Sequence, residues 1–204
     1  MRRATKRRVR DGVLYAVLLG VVFVIALSAD WQAIQANFFD VETWKALWPD
    51  ILGVAAVNTV KYTVIAFAGG IALALVLALM KLSSLGGYRW IAIVYIEFFR
   101  GLPALVVIII MAFGVPLAFQ WQPPGGTIGA GLIALIMVSA AYMAETLRAG
   151  IQAVPKGQRE AAESLGMNGL WTTVSIILPQ AIRIVIPPLT NEFILLVKDT
   201  SLLT

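Results

Sequence analysis

Along this chain the apolar residues come in long uninterrupted runs, and the polar residues gather in short stretches between them. The runs at 13–28, about 58–80, 103–119, 128–147 and about 171–197 are close to the length of a membrane-crossing helix, so five spans are expected. The third, about 17 residues, lies at the short limit for crossing. It is set off from a separate helix at 89–100, placed near the cytoplasmic interface, by Gly101-Leu102-Pro103, because Pro103 lacks a backbone donor and disfavours helix in the residue before it. The stretch 120–126, Gln-Trp-Gln-Pro-Pro-Gly-Gly, reads as an outer turn, and 81–89 as a short inner loop. Residues 30–50 carry Asp30, Asp40, Glu42 and Asp50 against Lys45, with Trp31, Trp44 and Trp48, which fits an external, partly interfacial connector.

Within the second span Ala66, Gly70, Ala74 and Ala78 repeat every fourth residue and make one smooth face, the kind along which helices approach closely in lipid. An ordinary alanine-rich helix has the same pattern. Lys61, near the outer end of this span, reads as a snorkelling side chain. The last run contains Pro179, Pro187 and Pro188, which predicts a proline-broken span whose freed backbone groups need protein or water to satisfy them.

Composition agrees: 60% of the 204 residues are hydrophobic and 13% charged, too few charges to coat a water-soluble domain of this size. The net charge of +5 arises from six basic residues in the first ten positions, Arg2, Arg3, Lys6, Arg7, Arg8 and Arg10, and not from a nucleic-acid-binding surface. A basic front followed by an apolar run could be a signal peptide. Because a polytopic chain follows, a signal anchor with its N-terminus inside fits better, and the basic residues outside the spans fall mostly on the inner side. Cysteine and histidine are both absent, so disulfide, thiol and imidazole chemistry are excluded, and no metal-ligand set or clustered acid–base group marks a membrane-embedded enzyme.

Between the fourth and fifth runs, Pro155 suits the first turn of a helix, residues 158–165 are good helix formers, and Gly166 can take the left-handed conformation that ends one. Such a helix of two to three turns is marginal alone and calls for a partner surface. A solvated loop helix is the plainer reading. The spacing decides: Glu160-Ala161-Ala162, three residues, Gly166, nine residues, then Ile176-x-Leu178-Pro179. It resembles the EAA signature of ABC import permeases. Further stretches resemble the polar amino acid group of that family: Tyr95-Ile96-Glu97-x-x-Arg100-Gly101-x-Pro103, Ala144-Glu145-x-x-Arg148-x-Gly150-Ile151, Pro187-Pro188-Leu189-x-Asn191 and Lys198-Asp199-Thr200-Ser201-Leu202.

The resemblance spans about 58–204 and implies an all-α polytopic membrane protein with a type I-like importer fold. Residues 1–57 form a basic tail, an extra helix and the connector. Residues 58–204 form the permease domain, with a cytoplasmic coupling loop at 148–170 and a final span expected beyond the end. In the family that loop carries a coupling helix inserted into an ATPase subunit, which assigns contact roles to Gln158, Glu160, Ala161, Ala162, Leu165 and Gly166. The implied partners are an ABC ATPase dimer that binds ATP and Mg, a second permease subunit, an extracytoplasmic amino-acid-binding protein and membrane lipid. No P-loop is present in this chain, so ATP hydrolysis belongs to another subunit.

Ionised residues in a membrane need a reason. Glu97 with Arg100 and Glu145 with Arg148 are three apart and share helix faces, so each is expected to form a local ion pair, the second also supporting the coupling loop. Arg183, Asn191 and Glu192 lie in the proline-containing span and are candidates for a substrate path, Arg183 meeting a carboxylate and Glu192 an ammonium. Pro103, Pro179, Pro187 and Pro188 are candidate hinges. The competing functional reading is an ion-coupled secondary transporter or channel with no ATPase partner. The substrate expected is a polar amino acid, glutamate- or glutamine-like, at the inner membrane of a prokaryote.

Overall fold

The computed structural model describes residues 2–203, and the side chains of 7, 8 and 10–203. The basic side chains Arg2, Arg3 and Lys6 of the expected tail lie outside the described residues. The chain divides into two compact units, Met1–Ile51 and Leu52–Thr204.

In the first unit α1 (Arg2–Ser28) is one helix, apolar enough to cross a bilayer over Arg10–Ser28. The connector is not a loop: it forms two short helices, α2 (Trp31–Phe38) and α3 (Val41–Asp50). Each starts at an aspartate. The Asp30 carboxylate accepts from Ala33 N (2.9 Å) and the Asp40 carboxylate from Thr43 N (3.0 Å), satisfying amides that have no partner in a helical first turn.

A π-helical turn, Ile51–Ala56, leads into α4 (Val57–Leu82). Then come α5 (Gly86–Arg100) and α6 (Ala104–Ile109), which runs through a π turn (Ile110–Gly114) into α7 (Val115–Phe119). After the turn at 120–125 follow α8 (Gly126–Ala153) and α9 (Lys156–Ser164). The last run is α10 (Gly169–Thr172), a π turn (Thr173–Ile177), α11 (Leu178–Asp199) and a 3-10 turn (Thr200–Leu203). Among the described residues there is no strand.

The core of the second unit is the seam between α4 and α8. Ala66, Gly70, Ala74 and Ala78 are all buried, so the small-residue face is a packing face. A Cβ on Gly70 would collide with the Ser139 hydroxyl of α8, and one on Gly69 with Ile136. Close approach here depends on the missing side chains, because van der Waals contact replaces the hydrophobic drive between helices in lipid. Packing of α11 and of the 3-10 turn after it on α8 repeats the device: a Cβ on Gly150 would strike Val185, and one on Gly131 would strike Leu203.

These pairings fix direction. Gly69 meets Ile136 and Lys81 meets Glu145, so α4 and α8 run the same way, whereas Gly150 meets Val185 and Gly131 meets Leu203, so α11 runs against them. Two parallel helices joined by one connection need a return crossing between them. The segment Ala104–Phe119 supplies it, bent by 103° from α5 at Gly101–Pro103. At 1.5 Å per residue it rises only about 24 Å, less than a hydrocarbon core of about 30 Å.

The structure departs from the sequence expectations at two places. The fourth span does not end at 147. Helix α8 continues to Ala153, because charged residues do not stop a helix, whereas Pro155 holds Val154 extended (φ −66°, ψ 127°). The last span is not broken at Pro187–Pro188, both of which lie inside α11. The irregularity lies earlier, at the π turn before Pro179, where Leu178 N bonds five residues back to Thr173 O. Pro116 follows a π turn in the same manner, with Val115 N bonded to Ile110 O. In each case the wider turn holds the carbonyl four residues before the proline, which the ring of an α-helical proline would strike.

Candidate functional site

Helix α9 stands between α8 and α10, and the sequence explains both of its ends. Pro155 is its N-cap residue (φ −56°, ψ 133°) and not its first helical residue. At the other end Gly166 is left-handed (φ +78°), its N–H donating to Glu163 O (2.9 Å) while Met167 N donates to Ala162 O (3.1 Å). Those two bonds are the Schellman closure, which needs a residue free to adopt positive φ. Asn168 then caps α10 by accepting from Trp171 N (2.9 Å).

One side of α9 is used internally. Ala162 is its buried residue, and α9 packs on α10 and on the π turn Thr173–Ile177. The Gln180 amide also donates to the Gln158 side chain (3.1 Å), tying α11 to α9. Glu160 and Ala161 are exposed, and Leu165 (83%), Leu170 (74%) and Trp171 (61%) expose large apolar side chains beside them. Of the six residues assigned to contact, the structure therefore turns Ala162 inward and occupies Gln158, while Glu160, Ala161 and Leu165 remain open.

Above this loop, the Glu145 carboxylate bonds Arg148 one turn on in α8, and Arg148 also bonds Gln152. A third residue joins the pair: Lys81, in the last turn of α4, donates to Glu145 at 2.8 Å. The resulting triad crosses the α4–α8 seam. A shared helix face pairs neighbours three apart, but only packing brings in a residue 64 positions away.

The other expected pair is not there. Among the described residues no ion pair joins Glu97 and Arg100. Arg100 instead lies over the Tyr142 ring, its guanidinium carbon 5.6 Å from the centroid, and the Tyr142 hydroxyl donates to Arg100 O (3.2 Å). The reason is the kink: α5 ends at Arg100 and its last carbonyls need a donor, which α8 supplies. Pro103 N-caps α6 on the far side of the bend.

Next to the kink, a cavity of about 340 Å³ is walled by Leu102 and Pro103, by Ser139 and Tyr142 of α8, and by Glu192 and Asp199 of α11. Its size suits a small ligand. Glu192 and Asp199 are two turns apart and share a face. The sequence analysis does not single out Asp199 as a site residue, although its seven-residue spacing from Glu192 is the signal that finds it. Arg183 and Asn191 do not line this cavity. Arg183 is half a turn out of phase with Glu192 and about 13.5 Å away along the axis, so the structure does not bring the two together as a zwitterion clamp.

One residue beyond Asp199, the Thr200 hydroxyl meets that of Thr63 at 3.2 Å, both fully buried. Thr200 lies in the Lys198–Leu202 motif stretch, but nothing along the chain pairs it with Thr63, 137 positions away.

A family model described as "binding-protein-dependent transport system inner membrane component" matches residues 70–204. Among curated relatives, the probable glutamine ABC transporter permease protein GlnM of Bacillus subtilis (strain 168) is 41% identical over 152 residues, covering 72% of this chain and 66% of the relative. The L-cystine transport system permease protein TcyB of the same organism is 38% identical over 178 residues, 87% of this chain and 70% of the relative. A solved structure, described as a crystal structure of an amino acid ABC transporter with histidines, superposes with a TM-score of 0.66 at 42% identity, covering 72% of this chain and 67% of that one. The chain thus spans about two thirds of the length of such relatives. With an all-α, multi-pass membrane fold of the type I-like kind, it belongs to the family of binding-protein-dependent transport system inner membrane components and, within it, to the amino acid ABC permeases.

Proposed function

We propose that this chain is the membrane-spanning subunit of an ATP-driven importer that carries a polar amino acid, glutamate- or glutamine-like, across the cytoplasmic membrane, its N-terminus cytoplasmic. The observation that carries this is α9, a short helix closed at both ends and braced internally through Ala162. It presents Glu160, Ala161 and Leu165 on an otherwise uncovered surface. A helix this short is not stable by itself, and its open apolar neighbours Leu170 and Trp171 call for a protein cover. That cover is a separate ABC ATPase subunit, working as a dimer with ATP and Mg.

The Gln158–Gln180 contact and the packing of α9 on the π turn connect the loop to α11. A displacement of α9 by the closing ATPases thereby reaches the helix that carries Glu192 and Asp199. In this reading the cavity beside the kink lies on the substrate path, where the two carboxylates meet an ammonium group. Arg183 and Asn191, exposed on other faces of α11, belong to the surface shared with a second permease subunit. Substrate arrives from an extracytoplasmic binding protein. The relatives' names, glutamine and L-cystine, fit a polar α-amino acid.

Because the chain has no cysteine, Ala161→Cys introduces a single thiol. In membranes containing the whole transporter it is expected to crosslink to the ATPase subunit, with ATP changing the yield. Transport that survives ATP depletion but collapses with the ion gradient, with no crosslink at 161, would establish the ion-coupled alternative instead.

A further inference from the structure

The unit Met1–Ile51 carries an apolar surface that no packing within it covers. No residue of α2 or α3 is buried. Both helices are amphipathic. At 100° per residue, Trp31, Ile34 and Phe38 line one face of α2, and Val41, Trp44, Leu47 and Trp48 one face of α3. Gln32 lies on the far side of α2 with Ala33 and Ala36, Gln35 and Asn37 lie on its flanks, and Glu42 and Asp50 lie on the far side of α3. Three of the chain's six tryptophans fall in these 18 positions. Between Phe39, Val41, Trp44, Trp48 and Pro49 lies an open hollow of about 510 Å³, with Lys45 as its one basic lining residue.

We propose that α2 and α3 lie in the headgroup layer of the bilayer that α1 crosses, their tryptophan faces toward the acyl chains, the hollow holding a lipid chain and Lys45 meeting a lipid phosphate. Three observations select lipid over protein as the occupant. The first is continuity. The side chains of α1 from Val13 to Leu27 are uncovered and apolar, and α2 begins three residues after α1 ends. The Trp31 indole donates to Ala26 O of α1 (2.7 Å), holding the start of α2 against the end of the span. The second is that helix ends are closed from within. Asp30 and Asp40 cap the N-termini, and the Trp44 indole donates to Phe38 O (2.9 Å) at the end of α2. Such closure is what a backbone needs where water is scarce. The third is charge. Asp30, Asp40, Glu42 and Asp50 outnumber Lys45, so attachment runs through aromatic burial and not through attraction to anionic lipid.

The test uses the whole transporter reconstituted into phosphatidylcholine vesicles whose chains carry bromine, a tryptophan quencher, either near the carbonyls or near the methyl ends. In this chain Trp31, Trp90, Trp121 and Trp171 are replaced by Phe, leaving Trp44 and Trp48, whose emission is read as the difference from a transporter in which these two are also Phe. Shallow bromines are expected to remove most of the emission and deep bromines much less, matching burial about 5–10 Å below the headgroups. Lys45→Glu should reduce the shallow quenching. Should the four replacements impair folding, nitroxide labels at Leu47→Cys and Glu42→Cys in the otherwise unchanged chain answer the same question. Oxygen is expected to relax the first more strongly and a water-soluble nickel chelate the second. Emission untouched by either bromine position, or equal nickel access at 42 and 47, overturns the proposal. So does shielding of Trp44 that appears only when substrate-loaded binding protein is added, which would give the face to a protein.

Discussion

Replacing Gly166 by alanine isolates the backbone requirement at the end of α9. No heavy atom outside its immediate neighbours lies within 4 Å of a Cβ built there, so alanine adds no clash and loses no packing. The cost is conformational. At φ +78° an L-residue is disfavoured by about 1–2 kcal/mol. If the residue leaves that region, the bonds from Gly166 N to Glu163 O and from Met167 N to Ala162 O are lost, and each contributes about 0.5–1.5 kcal/mol net. Both routes arrive at a similar sum, enough to shift the closed population of α9 by a factor of about 5–30. Hydrogen exchange of the 160–165 amides in the lipid-embedded transporter reads this directly, and Gly166→Ala should speed exchange by that factor. Gly166→Asn should speed it less, because asparagine tolerates the left-handed region. Gly157→Ala is the control: it also has open space around it, lies within the helix and should slow exchange slightly. Unchanged exchange in Gly166→Ala, with the Gly157 control behaving as stated, would refute the reasoning.

Four further outcomes are expected. Ala161→Asp should leave the permease inserted and folded but abolish ATP-driven uptake, whereas Ala162→Asp, on the buried side of α9, should destabilise the loop itself; protease sensitivity of membranes separates the two. Glu145→Gln should lower thermal stability in detergent more than Lys81→Met, because it leaves Lys81 and Arg148 both without their carboxylate whereas Lys81→Met leaves Glu145 paired with Arg148, a loss of about 1.5–3 kcal/mol for a charged hydrogen-bonded group. Gly150→Val should cost about 1–3 kcal/mol through overlap with Val185, while Gly169→Val, in open space, should not, as the two melting temperatures will show. Thr63→Val should cost about 0.5–1.5 kcal/mol by removing the buried contact with Thr200, and in a Thr200→Val background it should cost less.

Much of this molecule is local, and local features are written in order along the chain. The long apolar runs require membrane helices whatever they pack against. A small residue at every fourth position of 66–78 requires a face that another helix can touch. Pro155 and Gly166 bound α9 because one residue restricts φ and the other releases it. The signature spacing around Glu160 is legible because its residues follow one another in a single contiguous stretch, 160–179.

Tertiary structure decided what depends on residues far apart. Helix α8 supplies the partner for the small face, and the parallel course of α4 and α8 makes the short Ala104–Phe119 segment a return crossing. Lys81 reaches Glu145, and Tyr142 takes Arg100 away from Glu97, because side chains bind whatever the packing brings near. Local spacing proposes such partners without choosing among them. Arg183 and Glu192 share a helix but not a face, and only the position of α8 shows which of the two looks into the cavity. Periodicity along a chain marks which surfaces must be covered, while the identity of the cover follows from how the helices pack in three dimensions.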